Sequence, residues 1–308
     1  MRVLVTGSSG LIGGTLVPAL VGDGHEVLRL VRRPPRDRAE IAWDPAARSI
    51  DARALEGLDA VFHLAGESLA GGRWTRDRKA RIRTSRVEAT RLLAGALAGL
   101  ERPPRVLVSV SAIGYYGNRG DESLTEESPP GTGFLAELAR DWEAAASPAA
   151  ARGVRVVHPR LGLVLSSRGG ALARLLVPFR LGLGGPIAEG RAWWSWIAID
   201  DVVAVMRFAL GRESVRGPVN VAAPEPVRQG DFTRALGGAL RRPTPFRVPS
   251  FALRGLLGEM ADEMLLSSAR VLPARLVAAG FRFRFPELGE ALRHVLRAAP
   301  SARAAGVP

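Results

Sequence analysis

Residues 111–120, SAIGYYGNRG, hold both tyrosines of the chain, Tyr115 and Tyr116, a few positions after Ser111. A serine hydroxyl beside a phenol can polarise a carbonyl or hydroxyl oxygen, and a cation near the phenol would ease proton exchange by lowering its pKa from about 10. A lysine four residues beyond a tyrosine on a helix would place such a cation beside it. The only lysine is Lys79, and no tyrosine stands four residues before it. Arg119 does follow Tyr115 at that spacing, but the intervening YGN and the following glycine favour a turn over a helix, and arginine does not titrate. A second set of residues has a different chemistry. Gly7, Gly10 and Gly13, spaced GxxGxxG in TGSSGLIGG, allow a tight turn and close approach of backbone N–H groups to a pyrophosphate at a helix N-terminus.

These groups need elements to hold them. MRVLVTGSSGLIGGTLVPALVGDGHEVLRLVRRP reads as strand, glycine turn, helix and strand, so the glycines fall where a dinucleotide turn belongs. About twenty residues beyond such a turn, an acidic side chain would accept hydrogen bonds from the ribose of NAD. Arg32 and Arg33 stand there instead, and guanidinium forks suit a 2′-phosphate, so NADP is expected in preference to NAD. LDAVFHLAGES is a further buried strand, residues 75–99 fit a helix, and RVLVSVSA is a strand that delivers Ser109, Ser111, Tyr115 and Tyr116 to the same edge. GFLAELARDWEAAA is helical and GVRVVHPRLGLVLS is strand then loop. Alternation of this kind predicts an α/β fold with a Rossmann-type, doubly wound parallel sheet.

TGSSGLIGG, FHLAGES, SAIGYYG, IAIDDVVAVM and GPVNVAAPEPV, in that order, resemble the extended and atypical short-chain dehydrogenase/reductases, which include nucleotide-sugar epimerases. RWTRDRKARIRTSRVEATRLL, VPFRLGLGGPIAEGRAWWSWI and LPARLVAAGFRFRFPELGEAL are similar, more narrowly, to an epimerase-like NAD(P)-binding family of uncharacterised proteins with a small C-terminal extra domain. The likeness runs from residue 1 to about 297. It implies that Gly7, Gly10 and Gly13 form the phosphate turn, with backbone contacts from Ser9, Leu11 and Ile12, and that Arg32 faces the 2′-phosphate. Leu64, Ala65 and Gly66 would line the cofactor, as would Glu67 and Arg86, unless those two form a salt bridge tying the long helix to the turn.

The same likeness exposes a gap. Aligned on Glu143, the helix GFLAELARDWE has Leu135 and Ala139 where the superfamily carries its catalytic tyrosine and lysine. Ser111 matches the superfamily's active-site serine, but SAIGYYG has one more residue before its last tyrosine and glycine than the usual epimerase pattern. Ser111 and Tyr116 are therefore expected to polarise a substrate carbonyl or hydroxyl with Tyr115 packed beneath, or else both tyrosines merely line the pocket. Hydride transfer depends above all on positioning, and water or a substrate group could manage the proton. The expected activity is reduction, oxidation or epimerisation of a small polar substrate. The rival expectation is an NADP-binding regulatory or sensor protein.

Composition narrows the partners. The 308 residues carry 43 Lys+Arg against 30 Asp+Glu, a formal net charge of +13, but the arginines are spread along the chain and no stacking series accompanies them, which disfavours nucleic acid. Cysteine is absent, so disulfides and thiolate-ligated metals are excluded. His25, His63, His158 and His294 lack ligand-like spacing, so no metal is expected. No apolar run is long enough for a membrane span and no leader precedes RVLVT, which points to the cytoplasm. The expected organisation is a nucleotide domain over 1–165 to which residues 197–223 return, a substrate lobe from 166–196 and 224–297, and a flexible tail over 298–308. In the lobe, Trp193, Trp194 and Trp196 are expected on one short strand, either stacking on a ligand ring or packing between lobes. Asp200 and Asp201 are expected as helix cap and first-turn charges, and Phe281, Phe283 and Phe285 as alternate residues of a strand. Nothing in the composition fixes an oligomeric state.

Overall fold

The computed structural model describes residues 1–297, so the expected tail over 298–308 lies outside the described residues. The chain runs through β1 (Arg2–Thr6), α1 (Gly13–Gly22), β2 (Glu26–Val31), β3 (Glu40–Asp44), β4 (Ser49–Ile50) and β5 (Ala60–His63). After α2 (Arg76–Arg83), a π-helical turn (Thr84–Glu88) and α3 (Ala89–Ala98) come β6 (Val106–Ser109) and β7 (Ser111–Ala112). A 3-10 turn (Ile113–Tyr116), β8 (Ser123–Leu124), α4 (Phe134–Ala144), α5 (Ser147–Ala151) and β9 (Arg155–Leu161) follow. The second half holds β10 (Leu163–Leu165), α6 (Gly170–Arg180), β11 (Trp193–Trp194), β12 (Trp196–Ala198), α7 (Ile199–Gly211), β13 (Gly217–Val221) and β14 (Val227–Arg228). It ends with α8 (Gln229–Leu240), α9 (Ser250–Leu257), α10 (Glu259–Met264), β15 (Arg270–Val271), α11 (Ala274–Ala278) and α12 (Leu288–Arg297).

The main sheet has the order β13-β9-β6-β5-β1-β2-β3-β4, and every pairing in it except β3 with β4 is parallel. The central strands β1, β5 and β6 are short, nearly continuous apolar runs because both faces are covered. Val3 and Val5 join Leu16 and Leu20 of α1 and Val202 and Met206 of α7 on one face. Leu4, between them, joins Leu93 and Leu97 of α3 on the other, as a period of two requires. From β1 the chain builds outward to β2 and β3, then crosses to β5 and builds the other way. The reversal between β1 and β5 opens a crevice at the carboxyl ends of the strands.

A third apolar cluster joins α6, α8 and α12 through Leu172, Leu176, Phe179, Phe232, Leu236 and Leu292. Two short pairings, β10 with β12 and β11 with β14, lie within or at the border of this cluster, and a third, β8 with β15, ties the C-terminal segment to the first half of the chain. Residues 197–223 return through α7, which packs on α1, and through β13, which forms the sheet edge beside β9.

Three local expectations are corrected. The tryptophans lie on two strands, broken at Ser195, whose hydroxyl donates to Ala269 O at 2.8 Å and accepts Val271 N–H at 2.9 Å. Trp194 and Trp196 are buried, so core packing decides their place, and only Trp193 is half-buried. Both aspartates stand in the first turn of α7 as expected, but its cap is Ala198, and Asp201 is buried and accepts the N–H groups of Arg284 and Phe285 at 2.8 and 3.0 Å. With those two donors taken by Asp201 and that of Phe281 by Leu276 O, 281–285 form no strand: Phe281 and Phe283 pack edge to face on one another and Phe285 stacks on His294.

Candidate functional site

The glycine turn closes over the crevice. Gly7 has φ +64, and a Cβ there would stand 2.8 Å from the backbone of Leu64. A Cβ on Gly13 would fall on the carbonyl oxygen of Gly7, so two of the three glycines are obligatory. Gly10 donates its N–H to Gly7 O at 3.0 Å and α1 starts at Gly13, which leaves Ser9 and Gly10 exposed and Leu11 and Ile12 half-buried at a helix N-terminus. Thr6 ties this turn to the next. Its Oγ1 accepts the N–H groups of Leu64 and Ala65, both at 3.1 Å, and so donates its own proton to Nδ1 of His63 at 2.8 Å. The His63 proton therefore sits on Nε2, and complete burial lowers the pKa of the ring to about 4.

At the end of β2 the two arginines separate. Arg33 forms a fork on Glu40, with bonds of 2.6 and 2.7 Å. That bond, first of all, lowers the pKa of Glu40 to about 2, although burial opposes it. Arg32 is exposed and makes no side-chain bond among the described residues. Arg36 and Arg38 are in the same position on the following loop. Sequence reasoning passed over those two, and their signal was the arginine spacing in RRPPRDR itself.

The turn after β5 brings Leu64, Ala65 and Gly66 to the crevice opposite the glycine turn. Glu67 directs its carboxylate at Arg78 (3.2 Å) and Arg81 (3.8 Å), so it is tied to the long helix, but through these two arginines and not through the expected pairing with Arg86. Arg86 lies in the π-helical turn and is only 8% exposed. Its Nη2 donates to Glu67 O at 2.9 Å, and a Cβ on Gly66 would come within 3.2 Å of its Cζ. Burial lowers its pKa to about 10, against a smaller opposing effect of Glu67.

The expected catalytic pair is enclosed. Ser111, 2% exposed, donates to Glu143 Oε1 at 2.8 Å. Glu143 also receives Nε and Nη2 of Arg160, both at 2.8 Å. Arg160 Nη1 donates to the hydroxyl of Tyr116 at 3.0 Å, and that hydroxyl donates to Asn220 Oδ1 at 2.7 Å. Tyr116 is wholly buried, and burial raises its pKa more than Arg160 lowers it. The expectation that Tyr116 faces a substrate with Tyr115 beneath is thus reversed. The 3-10 turn sends Tyr116 inward against Leu124, Ala269 and Val271, and leaves Tyr115 half-buried above it with the Arg160 guanidinium 3.4 Å from its ring centre. Arg119 is taken by Glu122, with bonds of 2.8 and 2.7 Å, so no Tyr115–Arg119 pair forms.

Leu135 is half-buried against Gly114 and Ala139 is buried, so an apolar wall stands where the superfamily has tyrosine and lysine. Sequence reasoning missed Glu263. This carboxylate of α10 accepts the N–H groups of Phe134 and Leu135, both at 3.1 Å, and caps α4 from the C-terminal lobe. Gly133, φ +101, makes room for it. A cap from so distant a residue has no local signature.

A family model described as NAD dependent epimerase/dehydratase matches residues 3–222, and one described as a domain of unknown function (DUF1731) matches residues 248–295. The epimerase family protein ML0860 of Mycobacterium leprae is 43% identical over 292 residues, which cover 95% of this chain and 94% of that protein. The structure of human epimerase family protein SDR39U1 with NADPH superposes with a TM-score of 0.88 at 36% identity, covering 96% of this chain and 99% of that one. A nucleoside-diphosphate sugar epimerase from Corynebacterium glutamicum gives a TM-score of 0.81 at 38% identity, covering 96% of this chain and 58% of that longer one. No helix among the described residues is long and apolar enough to cross a membrane.

Proposed function

The chain belongs to the NAD dependent epimerase/dehydratase family, and from that premise we propose that it binds NADP(H) across the β1–β5 crevice and uses it on a small polar substrate. The observation that carries the cofactor choice is the division of labour between Arg33, spent on Glu40, and Arg32, left exposed where a 2′-phosphate would lie. The obligatory glycines make a cradle that any Cβ would fill, which supports a closely approached pyrophosphate. NADPH, when bound, supplies a hydride. Ala112, Ile113 and Leu135, all half-buried and apolar, would keep water from the reacting face, and Tyr115 is the nearby hydroxyl not consumed by the buried network.

Calorimetric titration with NADPH and NADH at one salt concentration tests this reading. NADPH should bind more tightly, and Arg32→Ala should remove about tenfold or more of that preference, the worth of a charge-assisted bond. Binding of neither nucleotide would reduce the glycine turn to a structural device.

A second reading, cofactor binding without turnover, is favoured by the enclosure of Ser111 and Tyr116. Isotope exchange at the nicotinamide C4 in the presence of cell extract separates the two. Exchange that Tyr115→Phe weakens supports an oxidoreductase or epimerase; its absence in the NADPH-binding wild type supports the regulatory role.

A further inference from the structure

Arg86 is a buried cation whose counter-charge is missing. The nearest carboxylate, on Glu67, is directed at Arg78 and Arg81, and no carboxylate of the described residues pairs with Arg86 within 4 Å. Of its five N–H donors one makes a well-formed bond, to Glu67 O at 2.9 Å, and two further contacts, to Ile82 O and Ser85 Oγ, are long at 3.4 Å. A guanidinium in this state is costly to keep, because buried charge is tolerated when paired.

Three features hold it there. The π-helical turn over Thr84–Glu88 interrupts an otherwise regular helix at this residue, a distortion that recurs at functional sites. The Trp142 ring lies 5.2 Å beneath the guanidinium and is itself fixed by a bond from Nε1 to Thr90 Oγ1 at 2.9 Å. Trp142 belongs to α4, the helix on which Ala139 replaces the superfamily's lysine. Gly66, exposed, leaves the guanidinium without a side chain above it.

The position of Arg86 in the sheet bears on what it meets. With the order β6-β5-β1-β2, a dinucleotide placed as proposed above has its pyrophosphate on the turn after β1 and its 2′-phosphate beyond β2. Arg86 stands on the other side, between the turn after β5 and α4, where the nicotinamide end carries no anionic group of its own, so the expectation that it lines the cofactor gives way to a different ligand. We propose that Arg86 is a receptor for a carboxylate or phosphate on the second substrate, so that the substrate is an acidic small molecule. The inference rests on the NADP(H) reading, which orients the cleft.

The test uses the full chain saturated with NADPH, with inorganic phosphate as probe, in wild type, Arg86→Met and Arg86→Lys. Wild type should bind phosphate saturably, Arg86→Met should lose at least tenfold in affinity for it, and Arg86→Lys should recover part of the loss. NADPH affinity of Arg86→Met should stay within threefold of wild type, and its melting temperature should be unchanged or raised, as when a stranded charge is replaced by an apolar side chain of similar volume. A tenfold loss of NADPH affinity would assign the arginine to the cofactor and overturn the proposal. A lowered melting temperature with phosphate binding intact would reduce it to a tie between turn and helix. Failure of wild type to bind NADPH is a separate outcome, and it removes the NADP(H) reading itself.

Discussion

Replacing Tyr116 by phenylalanine removes one hydroxyl and strands two buried partners, Asn220 Oδ1 and Arg160 Nη1. Tyr116→Phe should therefore cost about 1–3 kcal/mol in urea unfolding, whereas Tyr115→Phe, which breaks no bond present here, should stay within about 0.5 kcal/mol. Equal losses would mean that the two rings have been assigned to the wrong sides. Glu143→Gln breaks a fork buried beside Ser111 and should cost more, about 3–5 kcal/mol, because Arg160 is left uncompensated. His63 gives a pH signature. Its pKa is about 4 in the folded chain and about 6.5 when unfolded, so between those values the unfolded chain binds the extra proton. Stability is then fully present above about pH 6.5 and falls by about 3 kcal/mol as pH drops to 4. Unfolding free energies over that range should show the fall in wild type and a shallower one in His63→Asn, which keeps an acceptor for Thr6 but does not titrate.

Among the elements, the β1–α1 connection is the least forgiving. Gly13→Ala puts a methyl on the carbonyl oxygen of Gly7 and should cost about 3 kcal/mol or more together with NADPH binding, while Gly10→Ala, 3.2 Å from that oxygen, should cost less. Comparative melts and titrations of the two variants check the order. Glu263→Ala uncaps α4 and should cost about 1–2 kcal/mol, with faster hydrogen exchange confined to the first turn of that helix. The parallel sheet and the glycine turn could be read from the sequence, because β1 and β5 are apolar runs and the glycines fall between strand and helix. The place of Arg32 just after β2 was legible, whereas the commitment of Arg33 to Glu40, which leaves Arg32 the free one of the pair among the described residues, depends on β3 lying beside β2. The two tyrosines were not sortable from order alone. Which one turns inward is decided by Arg160 on β9 and Asn220 on β13, strands 44 and 104 residues away. The phenylalanines near 283 have the alternation of a strand but form none, since Leu276 O takes the backbone donor of Phe281 and Asp201 those of Arg284 and Phe285.

The molecule as a whole does not divide where its sequence does. β8 of the first half pairs with β15 of the last, and Asn220 links Tyr116 to the carbonyl of Leu272 through a bond of 2.9 Å. A fragment of residues 1–165 lacks β13 and both of these ties, and should show no cooperative melting transition, in contrast to the full chain. The same arrangement has a consequence for biosynthesis. β9 ends at Leu161, but β13, which covers its outer edge, is complete only at Val221. At the usual pace of translation roughly 3–12 s separate the two, and for that interval the nascent sheet presents an unpaired strand edge to whatever surrounds the ribosome exit.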